Sequence, residues 1–205
     1  MVQSEKTGAL ITAAGLSSRM GALKQTLPIG GMTVVEMIVS RFLEAGVSDI
    51  AVVVGHRADE IRGALKAYPV TILENPDYAQ TEMFDSVKIG LRYMEGRCGR
   101  LFFTPVDVPL FGLSTLKKEM SEDAPVVYPT VDGRRGHPIL ISSDLISRIL
   151  TNDGSGGLRG ALNEFEDEAA FVEVSDEGTL IDADTPEDYR KILDLYEKKK
   201  REHSL

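Results

Sequence analysis

The chain holds 205 residues, 42% of them hydrophobic, which is enough to bury a full core as one domain. Its net charge of −9 leaves no basic face to follow a nucleic-acid backbone, and its single cysteine excludes an internal disulfide or a cysteine-rich zinc site. The opening segment MVQSEKTG is not a charged-then-apolar leader, and no apolar run approaches membrane-spanning length. We therefore expect a cytoplasmic protein without membrane or nucleic-acid partners.

Ala9, Leu10 and Ile11 form a short apolar run that reads as a buried strand, closed by Ala13, Ala14 and Gly15. Small residues let the backbone approach a ligand closely and aim its amides at it. Arg19 and Lys24 follow, two cations in an otherwise acidic chain. Such a strand end suits a polyphosphate; a Gly/Ser turn with solvated charges is the plainer alternative. Neither standard phosphate fingerprint is present. Gln25 follows Lys24 where a P-loop has Ser or Thr, and no G-x-G-x-x-G occurs.

Apolar runs at Ile50–Val54, Val70–Leu73 and Leu101–Thr104 predict further strands. Apolar residues at three/four spacing predict helices over Val34–Ala45, Asp59–Ala67 and Asp85–Met94. Their alternation implies a largely parallel sheet with crossover helices. Ligands bind beyond the carboxyl ends of such strands, which brings Ala13–Lys24, Gly55–His56 and Pro105–Pro109 to one edge. His56 is then site lining or a structural histidine. Cys98, between Arg97 and Gly99, reads as a structural thiol in a turn.

After Phe111 the pattern loosens. Val126–Tyr128 and Pro138–Ile141 read as short strands around the charged turn Asp132–Gly136, Asp144–Leu150 and Leu158–Phe165 as helices, and Ala170–Val174 as a strand. Ser175–Gly178 reads as a hairpin-like return. The last helix runs from Pro186 to about Lys199, with Thr185 as N-cap and Glu187 and Asp188 complementing its dipole. The basic tail Lys198–Arg201 reads as solvated.

Asp107, flanked by Pro105 and Pro109 at a strand end, is placed to hold a hard cation or else to hydrogen-bond its own loop. Asp182 and Asp184 share a side if Ile181–Asp184 is extended, and two such carboxylates repel unless a cation lies between them. Ser86 falls in the first turn of a helix, where a hydroxyl and free amides can meet a base or ribose, or where Asp85 simply caps the helix. Arg134 and Arg135 beside Gly136 are either a clamp for a phosphate or acidic ring, or solvated turn residues.

Ala13–Gly21 followed by Lys24 closely resembles the signature loop of GT-A-like nucleotidyltransferases, above all the MobA/MocA-type NTP transferases that attach a nucleotide to molybdopterin. Pro105–Pro109 resembles that family's D-x-P metal loop, and Ile181–Asp188 its D-x-D-T-P-E-D segment. Arg135–Pro138 resembles the R-G-H-P of its cytidylyltransferases, although Ile139 stands where the family usually has phenylalanine. Asn152–Arg159 is similar to a lengthened form of its G-D-x-G-A-R loop. Asp85–Leu91 is similar to the D-S-V-x-x-G-L of methylerythritol-phosphate cytidylyltransferases, which favours CTP over GTP.

The resemblance implies an α/β, Rossmann-like GT-A fold, a mostly parallel sheet with helices on both faces. It implies one domain over residues 1–205, with an NTP-binding half at 7–111 and an acceptor-binding half with its closing helix at 112–197. Ala13, Ala14, Gly15, Ser17, Arg19, Lys24, Ser86 and Gly90 would meet the nucleotide, and Arg135, Gly136, His137, Pro138 and Arg159 the acceptor. Magnesium or manganese would sit on Asp107 and Asp184, with Asp182 as a further candidate. Arg19, Lys24, Asp107 and Asp184 would carry catalysis: transfer of a nucleoside monophosphate from CTP to a phosphorylated acceptor, molybdopterin, with release of pyrophosphate. A molybdoenzyme or its chaperone would receive the product. GTP-dependent guanylylation, cytidylylation of another small phosphate ester, and a non-catalytic nucleotide-binding regulator are the alternatives.

Overall fold

The computed structural model describes residues 6–15 and 23–202. In chain order its elements are β1 (Thr7–Ala13), β2 (Pro28–Ile29), β3 (Met32–Thr33), α1 (Val34–Glu44), β4 (Asp49–Val54), α2 (Ala58–Ala64), β5 (Thr71–Glu74) and α3 (Met83–Met94). There follow β6 (Arg100–Pro105), α4 (Leu113–Ser121), β7 (Val126–Val131), β8 (Arg134–Arg135), β9 (Ile139–Ser142), α5 (Ile146–Thr151), α6 (Gly157–Leu162), β10 (Ala170–Glu173) and α7 (Pro186–Glu202). The main sheet runs β10-β7-β9-β6-β1-β4-β5, with β8 paired to β7. β6, β1, β4 and β5 are parallel, as is the pair β7 and β10, and β9 runs antiparallel between β6 and β7. The expected largely parallel α/β sheet is therefore present.

Side-chain alternation along the central strands divides the core in two. Ala9, Ile11 and Ala13 of β1 and Ile50, Val52 and Val54 of β4 belong with α1, α2, α4 and α7. Leu10, Ala51 and Val53 belong with α3, α5 and α6. Near-continuous apolar strands such as Ile50–Val54 thus bury both faces, as parallel sheets do. Among the described residues no helix is long and apolar enough to cross a membrane.

Gly90 belongs to this packing. A Cβ there would lie 2.1 Å from Leu10 Cδ1, so its missing side chain lets α3 settle on β1. This corrects its expected place at the nucleotide. Gly90→Ala should destabilise the fold by about 1–3 kcal/mol in urea unfolding, despite alanine's better helix propensity.

Helix α4 has no counterpart among the elements expected from sequence. Its inward residues are Thr115, Leu116 and Glu119, so two of three core positions are polar and the apolar period is erased. Glu119 is fully buried, and among the described residues neither carboxylate oxygen has a hydrogen-bond partner. Burial pushes its pKa well above the ordinary glutamate value, with Arg100 opposing and Asp176 reinforcing the shift. A carboxyl raised in the folded state contributes stability below its unfolded pKa and loses it as pH rises through the folded one. The stability gap in favour of Glu119→Gln should therefore widen as pH rises above the ordinary glutamate range, about 4, in parallel thermal melts.

Ser175–Gly178 is not a hairpin return but a turn built on Asp176. Its carboxylate accepts from Thr115 Oγ1 at 2.7 Å and from the amides of Gly112 and Gly178, and pairs with Lys199. Burial opposes the charge, but Lys199 and these hydrogen bonds hold the pKa of Asp176 below the ordinary aspartate value. Lys199, expected to be solvated, ties α7 to the start of α4 and also donates to Leu110 O at 2.6 Å. At the other end of α7, Thr185 caps as expected, accepting the Asp188 amide at 3.2 Å. Cys98 is buried, and burial raises its thiol pKa, in keeping with a structural role.

Candidate active site

Parallel pairing in register, with Ala13 opposite Val54 and Thr12 opposite Pro105, brings the carboxyl ends of β1, β4 and β6 to one edge. The chain leaving β1 is anchored from below. Fully buried Gln25 donates from Nε2 to Ala13 O at 3.1 Å and to Gly15 O at 3.3 Å, and the His56 amide donates to Ala14 O. The carbonyls of Ala13, Ala14 and Gly15 are thus engaged within the protein, which suits a loop meant to face an anion. In the sequence Gln25 only excludes a P-loop; its role in holding the loop carbonyls shows in the fold alone. Ser17 and Arg19 lie outside the described residues.

Lys24 stands in the short 3-10 turn Lys24–Thr26 and reaches across the strand ends. Its ammonium lies 2.7 Å from Asp107 Oδ2 and 3.2 Å from Asp184 Oδ1. The two carboxylates come from segments 77 positions apart in sequence, held side by side by the Ala183 amide, which donates to Asp107 O at 2.9 Å. Burial disfavours the charge on Lys24, but attraction and hydrogen bonds from Asp107 and Asp184 raise its pKa above the ordinary lysine value. Asp182 is more exposed. Desolvation, then the charges of Asp184 and Asp107, push its pKa up.

This arrangement accepts a cation: an ammonium already lies between the two carboxylates. Among the described residues no group of three His, Cys, Asp or Glu side chains forms a fuller metal cage. Two carboxylates suit a magnesium-like ion that takes its other ligands from phosphate and water.

Two neighbouring cavities open on this edge of the sheet, and Asp107 lines the smaller of them. The smaller, about 130 Å³, is lined by Ala14, Gly15, Lys24, Ser86 and Asp107 among others. Residues expected at the nucleotide thus meet there, whereas Ala13 lies buried behind them in the core. The larger, about 700 Å³, is lined by Arg135, Gly136, His137 and Arg159, expected at the acceptor. Pro138 is buried and does not line it. Glu82, Met83 and Pro105 border both cavities, so the two spaces are neighbours across the start of α3.

The larger cavity is strongly aromatic, with Phe84, Phe103 and Tyr128 in its wall. Arg135 lies over the rings of Tyr128 and Phe171, 5.1 Å and 4.7 Å from their centroids, and pairs with Glu166. Gly136 passes so close to Thr179 that a Cβ would lie 2.7 Å from its carbonyl oxygen. His137 packs edge-on to Phe103, and its buried Nδ1 has no hydrogen-bond partner among the described residues. Burial lowers its pKa, while Asp107 and a Phe103 backbone hydrogen bond oppose that shift. His56 is set apart, its Nδ1 3.5 Å from the hydroxyl of Tyr78, which lines the smaller cavity.

At the far side of the smaller cavity, Ser86 is buried in the first turn of α3. Asp85 accepts the Glu82 amide at 2.9 Å and so helps cap the helix, so the capping reading of this segment holds alongside the cavity. Asn75, a residue the sequence reading passed over, bonds Ser86 from behind at 2.9 Å. Its signal was present only as a polar residue beside a proline at the end of β5.

The MobA-like NTP transferase domain matches residues 9–169. The chain is 31% identical over 189 residues to the molybdenum cofactor cytidylyltransferase of Escherichia coli, covering 91% of this chain and 95% of that protein. It is 28% identical over 203 residues to nicotine blue oxidoreductase of Paenarthrobacter nicotinovorans, covering 91% and 96%. Among solved structures, a nucleotidyl transferase from Methanothermobacter superposes with a TM-score of 0.82 at 28% identity, covering 95% of this chain and 99% of that one. With its fold and its sequence in agreement over most of its length, the chain belongs to the MobA-like NTP transferase family and is a nucleotidyltransferase.

Proposed function

We propose that this nucleotidyltransferase moves a nucleoside monophosphate from an NTP, with CTP favoured, to a phosphorylated acceptor, molybdopterin, releasing pyrophosphate. The observation that carries the reading is Lys24 bridging Asp107 and Asp184 at the smaller cavity, which shares Pro105 with the larger one. The smaller cavity, walled by the half 7–111, takes the nucleotide, and the larger, walled by both 7–111 and 112–197, takes the acceptor. An aromatic wall beside Arg135 and Arg159 suits a flat, anionic heterocycle better than a small polyol.

A phosphate oxygen of the acceptor attacks the α-phosphorus, the bond to the β-phosphate oxygen breaks, and pyrophosphate departs. A phosphate monoester is nucleophilic at neutral pH, so no protein base is needed. Asp107 and Asp184, with Asp182 as an outer carboxylate, would hold magnesium or manganese, which supplies charge neutralisation at the reacting phosphates when bound. Lys24, with Arg19, stabilises charge on the leaving pyrophosphate. Gln25 keeps the loop carbonyls away from it. Positioning and electrostatics account for the catalysis.

The deciding experiment is magnesium-dependent pyrophosphate release with molybdopterin, CTP and GTP run side by side. Release with CTP supports the reading in full, and release with GTP alone keeps the mechanism but overturns the base. Silence with both, alongside CTP binding, points to another phosphate ester or a regulator.

A further inference from the structure

One wall of the smaller cavity carries two hydroxyls, Thr81 and Ser86, with the buried amide of Asn75 behind them. Asn75 Oδ1 accepts the main-chain amide of Asp77 at 3.1 Å, which determines which way the side-chain amide points. Its Nδ2 then donates to Thr81 Oγ1 at 3.0 Å and to Ser86 Oγ at 2.9 Å, engaging both hydrogens. Thr81 gives its own hydrogen to Asp77 O at 2.9 Å and keeps only a lone pair. Ser86 has accepted and keeps its hydrogen; among the described residues, the bond from Asn75 is the one its Oγ makes. The main-chain N–H of Asn75 donates to Val54 O at 2.8 Å, so the node is tied to the end of β4. The wall therefore presents an acceptor beside a donor.

We propose that Asn75 is the positioning residue for base selectivity, holding Ser86 as a donor and Thr81 as an acceptor toward the nucleobase. This rests on the transferase reading above. Cytosine offers a ring acceptor next to an amino donor, which complements that pair. Uracil carries an N–H and a carbonyl at the same places and meets it with like groups. Polar groups left unpaired against each other make such a mismatch costly.

Calorimetric titration of the full chain with CTP and with UTP, magnesium present, reads the ratio of the two dissociation constants. In the native protein CTP should bind more tightly. Asn75→Ala frees both hydroxyls to rotate and should narrow the CTP-over-UTP ratio by about tenfold. Ser86→Ala should narrow it by weakening CTP, and the double variant should go little further, because both act through one hydrogen bond. A general loosening of the fold would weaken both nucleotides together and leave the ratio alone. Should Asn75→Ala not fold, Ser86→Ala and Thr81→Val carry the same expectation. An unchanged ratio in folded variants overturns the inference and leaves the transferase reading intact. A native chain that binds no NTP at all overturns both.

Discussion

Asp107→Asn is expected to lower magnesium-dependent pyrophosphate release by on the order of 10³-fold, with little change in the midpoint of thermal unfolding. The carboxylate lines the smaller cavity, 2.7 Å from the Lys24 ammonium. Asparagine preserves its shape and leaves untouched the main-chain bond by which Asp107 O receives the Ala183 amide. The loops therefore stay together while half of the cation's anchorage is lost. Breaking a buried ion pair can cost about 3–5 kcal/mol, but Lys24 keeps Asp184 as a partner here, and one repulsive charge beside Asp182 and Asp184 is removed. Rate measured at saturating nucleotide, alongside a melt of the same preparation, separates the two effects. A rate within about threefold of the native chain would remove Asp107 from the site.

How far the sequence could be read follows from what kind of signal each residue sends. Ala9–Ile11 and Ile50–Val54 announce strands because both faces of a parallel sheet are buried, and the rule about strand ends then gathers Gly15, Lys24 and Asp107. Helix α4 was silent because Thr115 and Glu119 occupy positions where the pattern calls for apolar residues. The hairpin β2–β3 is two residues a side and too short to show alternation. Gly90 was misread for a different reason: a glycine needed so that Leu10 can pack looks, in sequence, like one needed by a ligand. Asn75 and Gln25 were missed because each acts on partners distant along the chain, 11 residues for Ser86 and 12 for Ala13. Only the folded sheet brings those pairs together.

Lys24→Met should produce two effects of opposite sign. Turnover should fall by about 10²–10³-fold, since a fixed positive charge facing the leaving pyrophosphate is removed. Manganese binding in the absence of nucleotide, read by electron paramagnetic resonance, should tighten by about tenfold. In the native chain the ammonium occupies the space between Asp107 and Asp184, and its pKa is raised by them, so a divalent ion entering alone must displace a well-held partner. Methionine fills much of the same volume without competing for the carboxylates. With nucleotide bound, the lysine has phosphates to turn to, and the native chain should recover most of the difference. A merely structural lysine would lower stability and weaken metal and nucleotide alike. Unchanged or weaker manganese binding in the folded variant would show that the ammonium and the metal do not contend for one place, and the carboxylate pair would lose its standing as the cation site.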